Sequence, residues 1–500
     1  MKFSRPARRQ RIRLRMTMER VAAGGRWLVE FPRETQQNLR NFFYDGVFAS
    51  ASDAITLTFL TLYLLALGAS SADIGWLNAI SSIAAVILLL PGAMLVDRFG
   101  QRKKTVVIAG GWFGRLPLLL MALIPFFAKG STAIYILIAL KVVLDGARNL
   151  ALPAWVSLTA DIVPLSWRGR YFGNRNLMMG ISAMIVTAII GELITRIGTP
   201  GGYQWAIGLA FAIGMISTFF FSRINEPATS EKHPSTSRYS LKALRSTLQG
   251  DRKFLVFCIY TALWTFSLNT AGPFFAVYHV QTLGATASIV GITTIVTRIS
   301  ALPAQRFLGR LADQWGSRKL TLVSGFLVPI LPFMWLFIHS PWGVIPVNIL
   351  SGVFWAGYNL AVFNLMLEMS PDQERAKYSA LYQIAVAGAA AIGAAFGGMV
   401  ANQWGIPVLF VISGVGRFLS ALFFLVVLYR KMPEADSVTP FSEIALPSPE
   451  STNPTGEIPL PEEAPKPASE EAVVPDPSEN PNPESQTEKL TPPLPAPDAD

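Results

Sequence analysis

Residues 91–104 read PGAMLVDRFGQRKK, and residues 309–320 read GRLADQWGSRKL. Both stretches carry an aspartate, a glycine three residues later and an arginine two residues after that glycine. Each stretch follows a long apolar run, so it places these groups where a membrane helix would meet water. A motif that recurs once per half indicates a chain built from two similar membrane halves, an organisation typical of transporters.

The composition is that of a membrane protein: 51% of the 500 residues are hydrophobic and 15% are charged, far from the values of soluble domains. About 20 apolar residues cross a hydrocarbon core, and in lipid such a run must be helical. Twelve segments meet this length, near 42–68, 74–96, 105–127, 131–160, 172–197, 203–223, 254–283, 287–308, 319–338, 342–368, 378–402 and 406–429. The predicted fold is an all-α membrane protein with twelve transmembrane helices in two pseudo-symmetric six-helix bundles.

Basic residues are distributed unevenly over the loops between these segments. The first forty residues contain eleven arginines and lysines, and the turns near 98–104 and 168–175 are also basic, as is the 224–253 connection. The turns on the other side contain almost none. Because such residues remain inside the cell, both termini are predicted to be cytoplasmic in a multi-pass protein of the cell membrane. Anionic lipids are the expected partners of these loops, and nucleic acid is not.

These features predict five regions. A basic cytoplasmic arm (1–40) precedes an N-terminal bundle (41–223), a cytoplasmic linker (224–252) and a C-terminal bundle (253–430). The remaining tail (431–500) has fifteen acids and seventeen prolines from Pro433 onward, against two lysines. A segment with so little to bury is predicted to be a disordered, acidic, proline-rich cytoplasmic tail.

A second repeat supports the duplication. At the end of the fourth segment, an acid is followed by a proline three residues later, an arginine seven residues later and a tyrosine ten residues later. The same residue types recur at the same spacing at the end of the tenth segment. The residues are Asp161, Pro164, Arg168 and Tyr171, matched by Glu368, Pro371, Arg375 and Tyr378. Agreement in type and spacing at two places per half indicates two related bundles.

On these motifs, the chain resembles the major facilitator superfamily, whose loop motif runs Gly-x-Leu-Ala-Asp-Arg-x-Gly-Arg-Lys. The second copy matches at Gly309, Leu311, Ala312, Asp313, Gly316 and Arg318, with Gln314 replacing the arginine. The first copy keeps Leu95, Asp97, Arg98, Gly100 and Arg102, with Ala93 at the opening glycine. The resemblance covers about residues 41–430 and implies two bundles that rock about a central cavity. It also implies that the motif aspartates lock the two halves together on the cytoplasmic side, and the whole motif is therefore predicted to form the gate.

Charged residues within the spans are candidates for the transport pathway, because charge is costly in lipid. Asp53 and Arg148 lie roughly 18 Å and 20 Å deep at 1.5 Å per residue, and Arg115, Arg298 and Arg417 lie at a similar level. One hypothesis pairs Asp53 with Arg148 across the cavity. The alternative pairs Arg148 with Asp145, three residues away on the same helix.

Further candidates come from the same helices and from the second half. Asp45 lies on the first segment, and Asn269, Tyr358 and Asn359 lie on the seventh and tenth. The resemblance implies that segments 1, 4, 7 and 10 line the cavity, where aromatic rings and amides suit organic molecules. The alternative is that such residues anchor the interface or bond between helices.

No phosphate-binding loop, metal-ligand spacing or hydrolase constellation is found in the sequence, so neither an enzyme nor an ATP-driven pump is predicted. No cofactor or metal is expected. The prediction is a monomeric secondary active transporter that moves a small organic solute by alternating access, with export preferred and proton coupling left open. The alternatives are an uptake symporter or uniporter of the same fold, and a transporter-like receptor that signals through its tail.

Overall fold

The structure is a computed structural model, and it describes residues 31–164, 167–226, 250–371 and 375–429. Within these ranges the secondary structure is helical, with no strand. The predicted arm, linker and tail lie largely outside the described residues. In the N-terminal half the helices are α1 (Arg33–Ala66), α2 (Ser71–Phe99), α3 (Arg102–Phe127), α4 (Gly130–Ile162), α5 (Arg168–Ile197) and α6 (Gly201–Ser222).

The C-terminal half repeats this arrangement of long apolar helices. Its helices are α7 (Arg252–Gln281), α8 (Ala287–Leu327), α9 (Ile330–Trp335), α10 (Val344–Glu368), α11 (Arg375–Trp404) and α12 (Ile406–Phe423). A π-helical turn, Phe424–Tyr429, extends α12. Helix α1 begins at Arg33, before the predicted start of the first span.

Eleven helical stretches of the described chain are long and apolar enough to cross a membrane. One of them, Ala287–Trp335, is 49 residues long and contains α8 and α9. It includes the non-helical residue Gly316 and covers two of the predicted spans. The all-helical, multi-span fold is thereby confirmed, whereas the number twelve stays a prediction.

Two glycines explain how the chain reverses at the repeated motif. Gly100 has φ +62° and Gly316 has φ +74°, a left-handed conformation that side chains with a Cβ adopt at a cost. These turns lie at one end of the bundle, together with residues 223–226, and we call it the motif end. The opposite end, which carries residues 67–70 and 198–200, is the distal end.

Each half has its own apolar core, and the outside of the molecule is apolar as well. Phe59 and Tyr63 are fully buried in the N-terminal half, as are Phe274 and Phe410 in the C-terminal half. Many large apolar side chains remain exposed, such as Phe126 at 79%. An apolar exterior of this kind is suited to a lipid environment, in which the protein spans the membrane several times.

Small residues bring the two halves together at the distal end. Gly75 of α2 packs against Gly398 of α11, and Gly191 of α5 packs against the backbone of Ser288 on α8. The Ser288 hydroxyl donates a hydrogen bond of 2.9 Å to Glu192. Glycines permit such close backbone approach between membrane helices.

Candidate functional site

An ion-pair cluster centred on Asp53 lies midway along the N-terminal bundle. Arg115 of α3 donates a hydrogen bond of 2.9 Å to Asp53 Oδ1, and Arg148 of α4 donates to the same oxygen. The Asp53 side chain is 36% exposed and that of Arg148 is 26% exposed, whereas Arg115 is buried. One carboxylate therefore serves two guanidinium groups, so the cluster carries one net positive charge when all three groups are ionised.

The local packing fixes Arg115 in this position. Its Nη1 also donates to Ser52 Oγ at 2.9 Å, and Ser52 in turn donates to the Ala210 carbonyl at 2.7 Å. The absence of a side chain at Gly214 makes room, since a Cβ there would lie 2.8 Å from Arg115 Cδ. Helices α1, α3 and α6 thus hold one guanidinium rigidly, while the partly exposed Arg148 has more freedom.

Asp45 belongs to a second buried pair, nearer the motif end on α1. Arg175 of α5 approaches it at 3.6 Å, and the Ser217 hydroxyl donates to it at 2.7 Å. The Arg175 guanidinium also lies 4.1 Å from the centre of the Phe42 ring. Gly46 provides the space, because a Cβ there would meet that guanidinium at 2.5 Å. This pair fastens α1 to α5 and α6.

The alternative partner of Arg148 is occupied elsewhere. Asp145 pairs with Lys141, one helical turn earlier on α4. Arg148 contacts Asp53 instead, so the structure brings together the two residues that the first hypothesis paired across the bundle, and not the intrahelical pair.

An aromatic cavity of about 330 Å³ lies in the C-terminal half. Its wall includes Asn269 of α7 with Tyr358 and Asn359 of α10, the three neutral candidates from the sequence. Tyr358 stacks on Trp264 with ring centres 4.3 Å apart, and its hydroxyl is 3.0 Å from that of Tyr260. Other lining side chains are Trp355, Val362, Phe363, Met366 and Tyr382. The cavity suits an organic molecule with a large apolar body.

The residues predicted to form the gate lie at the motif end, and the structure describes the side chains of some of them. Arg102 is buried and pairs with Asp161 of α4 and, at 3.1 Å, with Glu226 beyond α6. The side chains of Asp97 and Arg98 lie outside the described residues. The first motif copy therefore ties the turn after α2 to the ends of α4 and α6.

In the second copy, Arg318 donates to the Tyr429 carbonyl and lies 4.6 Å from the centre of that ring. Arg102 thus contacts a residue just beyond α6, and Arg318 contacts the end of the π-helical turn that extends α12. In each half, the motif arginine contacts the last helix or the residues that follow it. Asp313 is exposed and forms no ion pair with a residue that the structure describes. Gly309 lies within α8, and a Cβ added to it would have no neighbouring atom within 4 Å.

Two features of the site were missed from the sequence. Ser52 accepts a hydrogen bond from Arg115. The spacing of apolar residues in the sequence does not reveal this contact. Arg417 was placed with Arg298 at a similar level in the membrane, and the sequence does not reveal that neither forms an ion pair with any described residue. Arg298 is exposed on α8, whereas Arg417 is 2% exposed on α12.

The comparison with protein families decides the class. The Major Facilitator Superfamily model matches residues 46–299 and 254–472. The chain belongs to the Major Facilitator Superfamily. It is therefore a multi-pass membrane transporter rather than an enzyme, as the repeated motif predicted.

Individual members of the superfamily are more distant. The multi-drug resistance efflux pump PmrA of Streptococcus pneumoniae serotype 4 is 23% identical over 400 residues, which cover 78% of this chain and 96% of that protein. The multidrug resistance protein MdtG of Salmonella typhi is 23% identical over 353 residues, or 69% of this chain and 83% of that protein.

Solved structures share the superfamily fold. The nucleoside transporter NupG has a TM-score of 0.59 at 14% identity and covers 79% of this chain and 99% of its own. The xylose transporter XylE from E. coli, in an inward open conformation, has a TM-score of 0.59 at 16% identity, with coverages of 80% and 96%. At these identities the likeness establishes the fold alone.

Proposed function

We propose that this superfamily member is a secondary active transporter that moves a small organic solute across the cell membrane by alternating access, coupled to protons through Asp53. The observation that carries the proposal is the carboxylate that Arg115 and Arg148 share at mid-depth, with 36% of the Asp53 side chain still exposed. Ionisable groups at this depth are rare in membrane proteins and commonly serve ion or substrate pathways.

The chemistry of coupling follows from the shared oxygen. A proton on Asp53 removes the negative charge that holds Arg148, and so weakens the bond between α1 and α4. A charged group of the solute that approaches Arg148 or Asp53 competes for the same contact. Because a ligand shifts a conformational equilibrium only through its differential affinity for the two states, this competition links loading of the site to the positions of the helices.

The proposed function includes an orientation of the protein in the membrane and a conformational state. The motif end faces the cytoplasm, because the arginine- and lysine-rich turns lie there. The glycine contacts described above, such as Gly75 against Gly398, join the halves at the distal end. We therefore assign the conformation to an inward-facing state. In the proposed outward-facing state, the motif residues of the two loops close the cytoplasmic side.

Export is the proposed direction, because the relatives PmrA and MdtG are named as a drug efflux pump and a drug resistance protein. Neighbours of the same fold carry nucleosides or xylose according to their names, so the fold by itself leaves the solute open. The solute binds between the ion-pair cluster of the N-terminal half and the aromatic cavity of the C-terminal half.

Flux in proteoliposomes under an imposed pH gradient tests the coupling. Ethidium, fluorescein and a neutral coumarin are supplied as solutes, and the one that the parent protein moves is used with Asp53→Asn. This change keeps the size and hydrogen bonding of the side chain but removes its ionisation. We expect proton-driven accumulation to fall at least tenfold, while downhill exchange continues.

Asp145→Asn is the matched control, because Asp145 is an acid of similar depth whose partner is Lys141 on its own helix. It should retain pH-driven accumulation. An Asp53→Asn protein that accumulates solute with unchanged pH dependence would show that the proton is carried elsewhere.

A further inference from the structure

Arg417 is a buried cation that has no acidic partner in the part of the chain that the structure describes. It lies 11 residues after the start of α12 and 12 residues before Tyr429, so it is near the middle of the span. Only 2% of the residue is exposed, and its Nε and Nη2 atoms have no hydrogen-bond acceptor. An isolated charge in such a position is strongly destabilising unless a counter-charge arrives.

The C-terminal half supplies no such counter-charge. Its acids within the described ranges are Asp251, Asp313 and Glu368, and each lies at or near a helix end or turn at the motif end, away from the middle of the membrane. The acids at mid-depth, by contrast, belong to the N-terminal half, where arginines or a lysine engage them. The counter-charge of Arg417 is thus missing from the described residues.

Helix α12 packs along α7 on both sides of Arg417, next to the aromatic cavity. The Ser413 hydroxyl donates a hydrogen bond of 2.5 Å to the Ser267 carbonyl, and the ring centres of Phe424 and Tyr260 lie 4.8 Å apart. Arg417 therefore lies at the level of Trp264, which lines that cavity together with Tyr358. Trp264, stacked on Tyr358, has a second buried donor without an acceptor, the indole Nε1. A neutral donor in the cavity wall and a cation behind it therefore both lack an acceptor among the described residues.

The opposite side of the site also has more basic than acidic groups, since Arg115 and Arg148 share the single carboxylate of Asp53. Among the described residues, neither side offers a free acid that would attract a cation. The electrostatic field within a poorly solvated cavity of this kind favours a negative group.

We infer that the transported solute carries an anionic group of the carboxylate class, and that this group binds at the Trp264–Tyr358 wall with Arg417 behind it as the counter-charge. The inference rests on the proposed transport function and specifies the solute. The apolar body of the solute packs on Trp355, Phe363 and Met366, which line the remainder of the cavity.

A matched pair of ligands tests this site by equilibrium binding to the purified full-length protein, with thermal stabilisation as a second readout. The probes are 2-naphthoate and 2-naphthamide, which share a ring system and differ in charge. We expect the parent protein to bind the acid at least tenfold more tightly than the amide. Arg417→Gln should reduce this ratio to about one, and Arg417→Lys should preserve part of it.

Arg298→Gln is the control, because Arg298 is an arginine of the same half that is exposed on α8 rather than buried; it should leave the ratio unchanged. Equal binding of acid and amide by the parent protein, or a preference that survives Arg417→Gln, overturns the inference. If Arg417→Gln does not fold, Trp264→Phe replaces it, and an unchanged preference in that variant also overturns it. Neither result affects the proton role of Asp53, which the flux assay tests separately.

Discussion

Adding one methyl group at Gly75 should push the two halves apart at the distal end. A Cβ on this residue would lie 2.7 Å from the Ala394 carbonyl oxygen and 2.7 Å from Gly398 Cα, whereas ordinary contact begins at 3.4 Å. The backbones of α2 and α11 must therefore separate by about 0.7 Å. Because both neighbours are backbone atoms, no side-chain rotation relieves the overlap.

Overpacking of this size costs about 1–3 kcal/mol. The cost falls on the state in which the distal ends touch, and it is relieved when they part. A difference of about 1–3 kcal/mol changes an equilibrium by roughly 5–150-fold. We therefore expect Gly75→Ala to shift the population towards the distally open state and to slow transport, while insertion and folding are retained.

Cysteine accessibility measures this shift. The sole cysteine, Cys258, is buried and is replaced by serine, and a new cysteine at Asn269 reports on the cavity. Labelling from the distal side by a membrane-impermeant maleimide should become at least fivefold faster in Gly75→Ala. Gly388→Ala on α11 is the control, because a Cβ there has open space around it. Unchanged labelling and flux in Gly75→Ala would refute the assignment of these contacts to one state of the cycle.

Three further predictions concern the motif end and the tail. Arg102→Gln should lower the free energy of unfolding by about 1.5–3 kcal/mol, because it removes charged hydrogen bonds to Asp161 and Glu226. Chemical denaturation measures this change. Asp97→Asn and Asp313→Asn should insert normally but transport slowly, with Asp97 the more severe; parental flux in both would contradict a locking role. Deletion of residues 436–500 should leave insertion and flux nearly intact, because that sequence has little apolar surface to bury, and loss of insertion would contradict it.

The sequence predicted the fold because its signals are local. Long apolar runs define membrane helices without reference to their neighbours, and the Asp97 and Asp313 motifs reveal the duplication by spacing alone. The turns at Gly100 and Gly316 could also be predicted locally, because a positive φ is a property of a single residue.

Partners across the bundle were less accessible to prediction. Asp145 has a basic neighbour one turn away on either side, Lys141 and Arg148, and helical spacing alone cannot choose between them. The choice depends on which face of α4 meets α1, which tertiary packing decides. The isolation of Arg417 is likewise a property of the assembled half and not of any segment.

The side chains that line the aromatic cavity all come from α7, α10 and α11, whereas the buried ion pairs join α1, α3, α4 and α5. The two halves, which share a loop motif, therefore hold different kinds of side chain in their interiors. Substitutions that reshape the surface around Trp355 or Phe363 leave the charges around Asp53 in place. Under the proposed mechanism, related transporters can therefore differ in the solute body that the cavity accepts while they keep the same carboxylate for proton uptake.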